Sequence, residues 1–128
     1  GLEWDNGMLC AINRKDAEAQ DKIDQWLQQN ADLTALVTLN NTMLLNLLEV
    51  LKRRQKGFPS DYSILTWDDC NLSRFMDITA MQQPTAEMGH LAVQKLISYI
   101  ESDSDEIVCE KSLLSAKLVE RGSCSPLQ

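Results

Sequence analysis

Short apolar runs alternate with longer amphipathic stretches along this 128-residue chain, and this alternation restricts the folds it can adopt. A short apolar run bounded by polar residues is typical of a buried strand, whereas apolar residues at every third or fourth position indicate one face of a helix. Strands that alternate with helices favour a parallel sheet with helices on both faces. We therefore predict an α/β fold in one domain.

The elements follow from the positions of these patterns. The predicted strands are residues 8–12, 33–39, 62–67 and 78–82, with further strand material in 107–119. The predicted helices are residues 14–29, 43–55, 71–75 and 86–100. Residues 33–39 carry few polar side chains, which predicts a strand covered on both faces. The last helix is expected to turn Met88, Leu91, Leu96 and Ile100 inward and His90 outward.

Charge and cysteine content exclude several functions. The formal net charge is −7, so the chain should repel phosphate backbones and not bind nucleic acid by itself. No apolar run is long enough to span a membrane, and the acidic N-terminus has no signal-peptide pattern. The cysteines are widely and irregularly spaced, which predicts reduced thiols rather than disulfides or a metal site. They are Cys10, Cys70, Cys109 and Cys124.

Polar residues recur where the predicted strands end. They are Asn13 and Arg14, Asn40 and Asn41, Asp68 and Asp69, and Gln82 and Gln83. In parallel α/β sheets ligands bind at this edge, and carboxylate and amide oxygens accept hydrogen bonds from hydroxyl groups. Asn40, Asn41 and Asp69 also precede predicted helices, so helix capping explains each of them equally well.

No catalytic arrangement is evident. The sequence lacks the nucleophile-elbow, phosphate-loop and dinucleotide-binding motifs. Asp68 and Asp69 are adjacent, so on a strand they would point to opposite faces and could not flank one bond. We therefore expect a ligand-binding protein without cofactor rather than an enzyme.

Five segments together resemble a known family. They are residues 34–43 (TALVTLNNTM), 58–69 (FPSDYSILTWDD), 78–84 (ITAMQQP), 87–92 (EMGHLA) and 118–123 (LVERGS). Their order and their sequences are similar to those of motifs in the C-terminal subdomain of the lactose-repressor/galactose-repressor family of bacterial transcription regulators.

The resemblance implies a periplasmic-binding-protein type 1 fold, in which two α/β subdomains enclose a sugar-like effector. It implies a homodimer that binds operator DNA through a separate N-terminal helix-turn-helix domain, in the cytoplasm. Ligand contacts are implied at Asn40 or Asn41, Asp68 and Gln83, and Trp67 takes the family's aromatic position. The implied dimer contacts are Leu72, Phe75 and Met76, for which core packing is the alternative.

Three departures from the family pattern affect the implied site. Asn41 stands where the family has Asp, and Thr66 where it has Gly. Asn13 or Arg14 stands near the position of an aromatic residue that stacks on the effector. If Arg14 occupies that position, an anionic ligand such as a sugar phosphate is favoured.

The resemblance also implies that residues 1–128 are a partial subdomain. The family's first strand would lie between residues 8–12 and 33–39, and its absence predicts a gap or exposed strand edges. Pairing with another chain, swapping or a rearranged N-terminal strand could fill that gap. Two other functions remain open, namely a secreted solute-binding protein of the same fold and a small α/β hydrolase or transferase.

Overall fold

The computed structural model describes residues 5–13, 15–102 and 110–126. Its helices are α1 (Ala19–Gln29), α2 (Asn41–Arg53), α3 (Asn71–Phe75) and α4 (Thr85–Glu101), and its strands are β1 (Ala35–Thr38), β2 (Ser63–Trp67), β3 (Thr79–Gln82) and β4 (Lys117–Val119). Within these residues the strands form one sheet in the order β1-β2-β3-β4. The α/β class is confirmed, but the sheet is mixed, because β4 runs antiparallel to β3 while the other neighbours are parallel.

One face of the sheet carries the core. Leu36 of β1 is level with Ile64 of β2, and both are buried against α1 and α2. Two residues further along, the buried Thr38 and Thr66 satisfy each other, since their hydroxyl groups hydrogen-bond at 2.9 Å. The two helices supply the rest of this core with Ile23, Leu27, Leu44, Leu47, Val50 and Leu51.

The opposite face of β1 is uncovered, so the prediction that this strand is covered on both faces is wrong. Its residues are alternately exposed and buried, and the Val37 side chain is 62% exposed. An apolar strand sequence shows that both faces can be covered, but it does not supply the element that covers them.

The predicted strand at residues 8–12 is also wrong. Asn6–Met8 forms a 3-10 turn, which is held where the Trp26 indole N–H donates to the Gly7 carbonyl at 2.8 Å. The residues that follow have no strand partner among the described residues, although Cys10 and Ile12 pack against the edge of the core. The apolar sequence suits a strand, but a strand also needs hydrogen bonds to a neighbouring edge, and residues 8–12 make none to another described strand.

An apolar slot of about 610 Å³ separates this segment from β1, where the sequence predicted a gap. Its walls include Cys10, Ile12, Trp26, Val37 and Met43. Among the described residues β1 pairs only with β2, so its other edge lines the slot unpaired. Residues 8–12 form the far wall and do not fill the slot, so the described part of the N-terminal segment does not close the gap as a rearranged strand.

Helix α4 lies at the predicted place but without the predicted burial. None of its residues is buried, and Ile100 is 74% exposed, whereas His90 is exposed as predicted. The apolar periodicity gave the helix correctly, but the described residues contain no surface that covers its apolar side. None of the helices in the described ranges is both long and apolar enough to span a membrane.

The ends of α2 differ in part from the prediction. Asn40 caps its start, which is one of the two roles that the sequence predicts for it. At the other end the sequence predicts Gly57, which Pro59 follows, in the left-handed position after the helix, but Gln55 adopts that conformation, with φ 57°. The turn closes through hydrogen bonds from the Gln55 N–H to the Lys52 carbonyl and from the Lys56 N–H to the Leu51 carbonyl, which is the Schellman pattern. Because α2 ends at Arg53, Gly57 lies too far along the chain for that position.

Candidate functional site

The carboxyl ends of β1, β2 and β3 bring the predicted ligand contacts to one edge of the sheet. These strands are neighbours and parallel, so Asn40, Asp68 and Gln83, which each follow one of them, lie along the same edge. This is the edge at which open α/β sheets bind ligands. A pocket of about 310 Å³ adjoins it and is lined by residues that include Gln83 and Lys117.

Asp68 and Gln83 contact each other directly. The Gln83 side-chain amide donates to Asp68 Oδ1 at 2.6 Å, and both residues are half-buried. The Asp68 backbone N–H donates to the Met81 carbonyl of β3 at 3.2 Å. Asp68 has φ 116°, in the region that an L-residue seldom occupies. The sequence named both residues but did not indicate that they form a pair.

Asn40 is the helix cap that the sequence allowed as an alternative. Its side-chain oxygen accepts from the Met43 backbone N–H at 2.9 Å, which satisfies a free N–H in the first turn of α2. Asn41 is the first residue of α2 and is exposed. The Asn40 oxygen is therefore occupied by the helix end, whereas Asn41 faces solvent near the strand edge.

The departure at Thr66 has a structural explanation. Thr66 is fully buried, and its hydroxyl group is satisfied by Thr38 across the neighbouring strand. A side chain therefore takes the place of the family's glycine without leaving a polar group unpaired. Trp67, the last residue of β2, points to the opposite face and is 40% exposed.

Asp69 belongs to a buried ionic cluster. Its carboxylate accepts from Arg121 Nη2 at 2.7 Å and from Arg74 Nε at 3.1 Å, and its side chain is 5% exposed. Burial by itself would raise the pKa of Asp69, but the hydrogen bonds and positive charges of Arg121 and Arg74 outweigh burial and hold the pKa below its ordinary value. Asp69 is neither the cap of α3, which is Cys70, nor an open ligand contact.

Ser123 is a structural residue for which the sequence analysis proposed no role. It is fully buried, its hydroxyl group donates to the Ile64 carbonyl at 2.6 Å, and it accepts from the Thr79 N–H at 2.8 Å. Its backbone carbonyl also accepts from the Ile64 N–H at 2.9 Å. Ser123 thus joins β2 and β3 at their amino ends. The LVERGS segment in the sequence contains Ser123, but a sequence motif does not show which residues its members contact.

The three implied interface residues separate into two kinds. Leu72 is half-buried and packs against the core, as the alternative reading allowed. Phe75 is 85% exposed, and Met76 beside it is also exposed. The end of α3 therefore presents two large apolar side chains to solvent.

The remaining candidate residues are the cysteines, possible metal ligands and Arg14. Cys10, Cys70 and Cys124 are free thiols, and burial raises the pKa of the Cys10 thiol. No group of three potential metal ligands occurs in the part of the chain that the structure describes. Arg14 and Cys109 lie outside the described residues.

A profile of the family described as periplasmic binding protein-like domain matches residues 6–124. Among curated proteins, the transcriptional regulator MalR of Clostridium butyricum is 26% identical over 96% of this chain and 36% of its own length. The ribose operon repressor of Escherichia coli strain K12 is 30% identical over 80% of this chain and 31% of its own length. The chain thus spans about a third of the curated relatives that it matches.

Solved structures show the same fold. A LacI family transcriptional regulator from Enterococcus faecium with bound ribose aligns with a TM-score of 0.72 and 26% identity, over 87% of this chain and 41% of that one. The transcription regulator CcpA of Lactococcus lactis aligns with a TM-score of 0.75 and 17% identity, over 96% of this chain and 45% of that one. At the latter identity the likeness shows the fold alone.

Proposed function

The chain belongs to the family of periplasmic binding protein-like domains, in the form carried by LacI-family regulators, and from that premise we propose that it is part of the effector-binding and dimerisation region of a transcription regulator. The effector is a sugar or a sugar phosphate. Relatives named as ribose operon repressors and a neighbour solved with ribose support this class of ligand.

The observation that carries the proposal is the Asp68–Gln83 pair. A carboxylate and a carboxamide, 2.6 Å apart at the carboxyl edge of a parallel sheet, offer both acceptors and donors. A sugar hydroxyl needs both, because it donates one hydrogen bond and accepts others. Asp68 accepts from a ligand hydroxyl in this proposal, and Gln83 orients the carboxylate or contacts the neighbouring hydroxyl.

Three further residues complete the proposed wall. Asn41 faces solvent beside this edge and supplies an amide contact, while Asn40 mainly holds the start of α2 in place. Trp67 supplies an apolar surface against which a sugar ring can pack. Arg14 supplies the cation for a phosphate group if the effector is a sugar phosphate.

Dimerisation is proposed through the end of α3. Phe75 and Met76 are exposed apolar side chains on a surface separate from the core, and large exposed apolar residues often mark a protein contact. Leu72 supports this surface from the core side. Operator DNA is bound by a separate domain, since the chain itself has a net charge of −7.

We further propose that residues 1–128 are a partial subdomain within a longer polypeptide. The unpaired edge of β1, the apolar slot beside it and the uncovered Val37 face all favour completion by additional polypeptide. The opposite wall of the effector cleft belongs to that additional polypeptide. A regulator of this kind acts in the cytoplasm.

A secreted solute-binding protein of the same fold is the second candidate. The fold and the Asp68–Gln83 pair fit it equally well, but the relatives reported above are named as regulators and repressors. An export signal at the start of the full gene would favour this candidate, and a helix-turn-helix segment would exclude it.

The test is a thermal-shift screen of the full-length protein with pentoses, hexoses and their phosphates. One of them should raise the melting temperature, and Asp68→Ala should abolish the shift, because it removes the proposed acceptor. Asp32→Ala is the matched control, since Asp32 is an exposed carboxylate that precedes β1, whereas this edge follows β1. An unchanged shift in the Asp68→Ala protein would remove Asp68 from the site. Turnover of the sugar during long incubation would instead indicate an enzyme.

A further inference from the structure

Asp68 holds a backbone conformation that needs support from its surroundings. Its φ of 116° lies where a side chain with a Cβ is strained. The other non-glycine residues with positive φ are Gln55 and Asp77 among those described, and Gln55 occupies the usual left-handed position after a helix. Asp68 follows a strand and has no such motif, so another part of the structure must hold it.

The peptide groups on each side of Asp68 are both engaged. Its N–H donates to the Met81 carbonyl at 3.2 Å, and its own carbonyl accepts from the Cys70 N–H at 3.1 Å. The first bond continues the pairing of β2 with β3, and the second begins the turn into α3. The unusual φ of Asp68 therefore lies between two peptide groups whose orientations are both set by hydrogen bonds.

Asp69 fixes the orientation of the chain after Asp68, in the turn that leads into α3. Its carboxylate is bound by Arg121, Arg74 and Ser73, and its backbone carbonyl also accepts from Arg74 Nη2 at 3.2 Å. Arg121 is itself anchored, since its Nη1 donates to the Ile78 carbonyl at 2.7 Å. Asp69 is thus held from both sides, by α3 and by the segment that follows β4.

We propose that Asp69, Arg74 and Arg121, here called the Asp69 clamp, are positioning residues that hold Asp68 in its strained conformation. The clamp thereby keeps the Asp68 carboxylate against Gln83 at the strand edge. Without it, Asp68 relaxes to an ordinary backbone conformation and its carboxylate leaves Gln83. The proposed function is needed only to say what Asp68 binds, and the conformational coupling is independent of any ligand.

The test compares alanine with glycine at position 68, with and without the clamp. Asp68→Ala and Asp68→Gly lose the same carboxylate and differ only in the Cβ. Their difference in stability contains the strain and the extra entropy of glycine in the unfolded chain, and the entropy cancels when the two backgrounds are compared. In urea unfolding of the full-length protein, Asp68→Gly should have an unfolding equilibrium constant roughly tenfold smaller than Asp68→Ala. In the Asp69→Ala background this ratio should fall to one or below, because the relaxed backbone no longer penalises a Cβ and glycine keeps its entropy in the unfolded chain.

Gln55 provides the matched control, because it has positive φ far from the clamp along the chain. The ratio between Gln55→Ala and Gln55→Gly should be the same in both backgrounds. If Asp69→Ala fails to fold, Arg74→Ala removes one arm of the clamp from a side chain that is 54% exposed.

Two results would overturn the proposal. An equal ratio at position 68 with and without the clamp would show that the clamp is merely structural. A ratio near one with the clamp intact would show that Asp68 is not strained. Since the cycle uses no ligand, a sugar screen in which Asp68 has no effect would refute the proposed function and leave this coupling standing.

Discussion

At the scale of single residues, the cost of burying charge decides what Asp69 does. A carboxylate that is 5% exposed must be compensated by opposite charge, and Arg121 and Arg74 compensate it from two parts of the chain. The neighbouring Asp68 makes its described contact with an uncharged amide and lies at the open edge. Two adjacent aspartates thus have different roles because their surroundings differ.

The first prediction concerns this buried pair. Asp69→Asn should lower the free energy of unfolding at neutral pH by about 3 kcal/mol, because it leaves Arg121 without its charge partner. The pKa of Asp69 is lowered on folding from its ordinary value of 3.8. Its contribution is therefore present above that value and is lost as the pH falls through the lower folded-state pKa.

Urea unfolding between pH 7 and pH 2 measures this contribution. The difference between the wild-type protein and Asp69→Asn should be constant at neutral pH and shrink in strong acid. Asp32→Asn, at an exposed site, serves as the control. A difference that grew on acidification would contradict the sign of the assigned pKa change.

The second prediction separates the two adjacent asparagines. Asn40→Ala should cost about 1 kcal/mol of stability, because the Met43 N–H loses its capping oxygen. Asn41→Ala should leave stability almost unchanged and weaken effector binding in the full-length protein. Melting curves and titration of the same two variants check both effects, and equal loss of stability in both would contradict the assignment.

At the scale of secondary-structure elements, local sequence patterns were sufficient to predict where most helices and strands begin and end. The helix of residues 71–75 was predicted at its observed bounds, and β1, β2, β3 and α4 were predicted within a few residues. The predictions that were wrong concerned which elements pair with or cover one another. In the described part of the chain residues 8–12 have no strand partner and nothing covers the apolar side of α4, and neither fact can be inferred from the segment itself.

The candidate site was predictable to a similar degree. Asp68 and Gln83 were named from their positions after strands, but their contact depends on the register between β2 and β3. The Asp69–Arg121 ion pair spans 52 residues of sequence, so no local pattern indicates it. The antiparallel return of β4 was missed for the same reason, since a short strand does not reveal its direction.

A prediction at this scale concerns the end of α3. Phe75→Glu should weaken self-association of the full-length protein at least tenfold, because it places a charge on the proposed apolar contact. Leu113→Glu is the control, as Leu113 is equally exposed but lies outside α3. Sedimentation equilibrium distinguishes the two. If both variants dimerise like the wild-type protein, the interface lies elsewhere.

At the scale of the whole molecule, exposed apolar surface is the dominant feature. The slot beside β1, the uncovered Val37 face and the exposed side of α4 together leave much apolar area in water. Exposed edges and apolar faces of this extent favour association or completion by further polypeptide. The sheet and its core are thus one part of a larger folded unit in our proposal.

Thiol labelling tests this completion. A cysteine introduced by Val37→Cys should react rapidly in residues 1–128 alone and at least a hundredfold more slowly in the full-length protein, where the slot is filled. Lys52→Cys, at an exposed position of α2, should react equally in both. Equal reactivity at position 37 in both proteins would show that the slot stays open.

The central claim is that Asp68 contacts the effector from one wall of a cleft. The most direct measurement is a crystal structure of the full-length protein with the sugar or sugar phosphate that stabilises it in the thermal-shift screen. We expect an Asp68 carboxylate oxygen within hydrogen-bonding distance of a ligand hydroxyl, with Gln83 beside it. A ligand bound away from the carboxyl ends of β1, β2 and β3, with Asp68 still bonded only to Gln83, would contradict the claim.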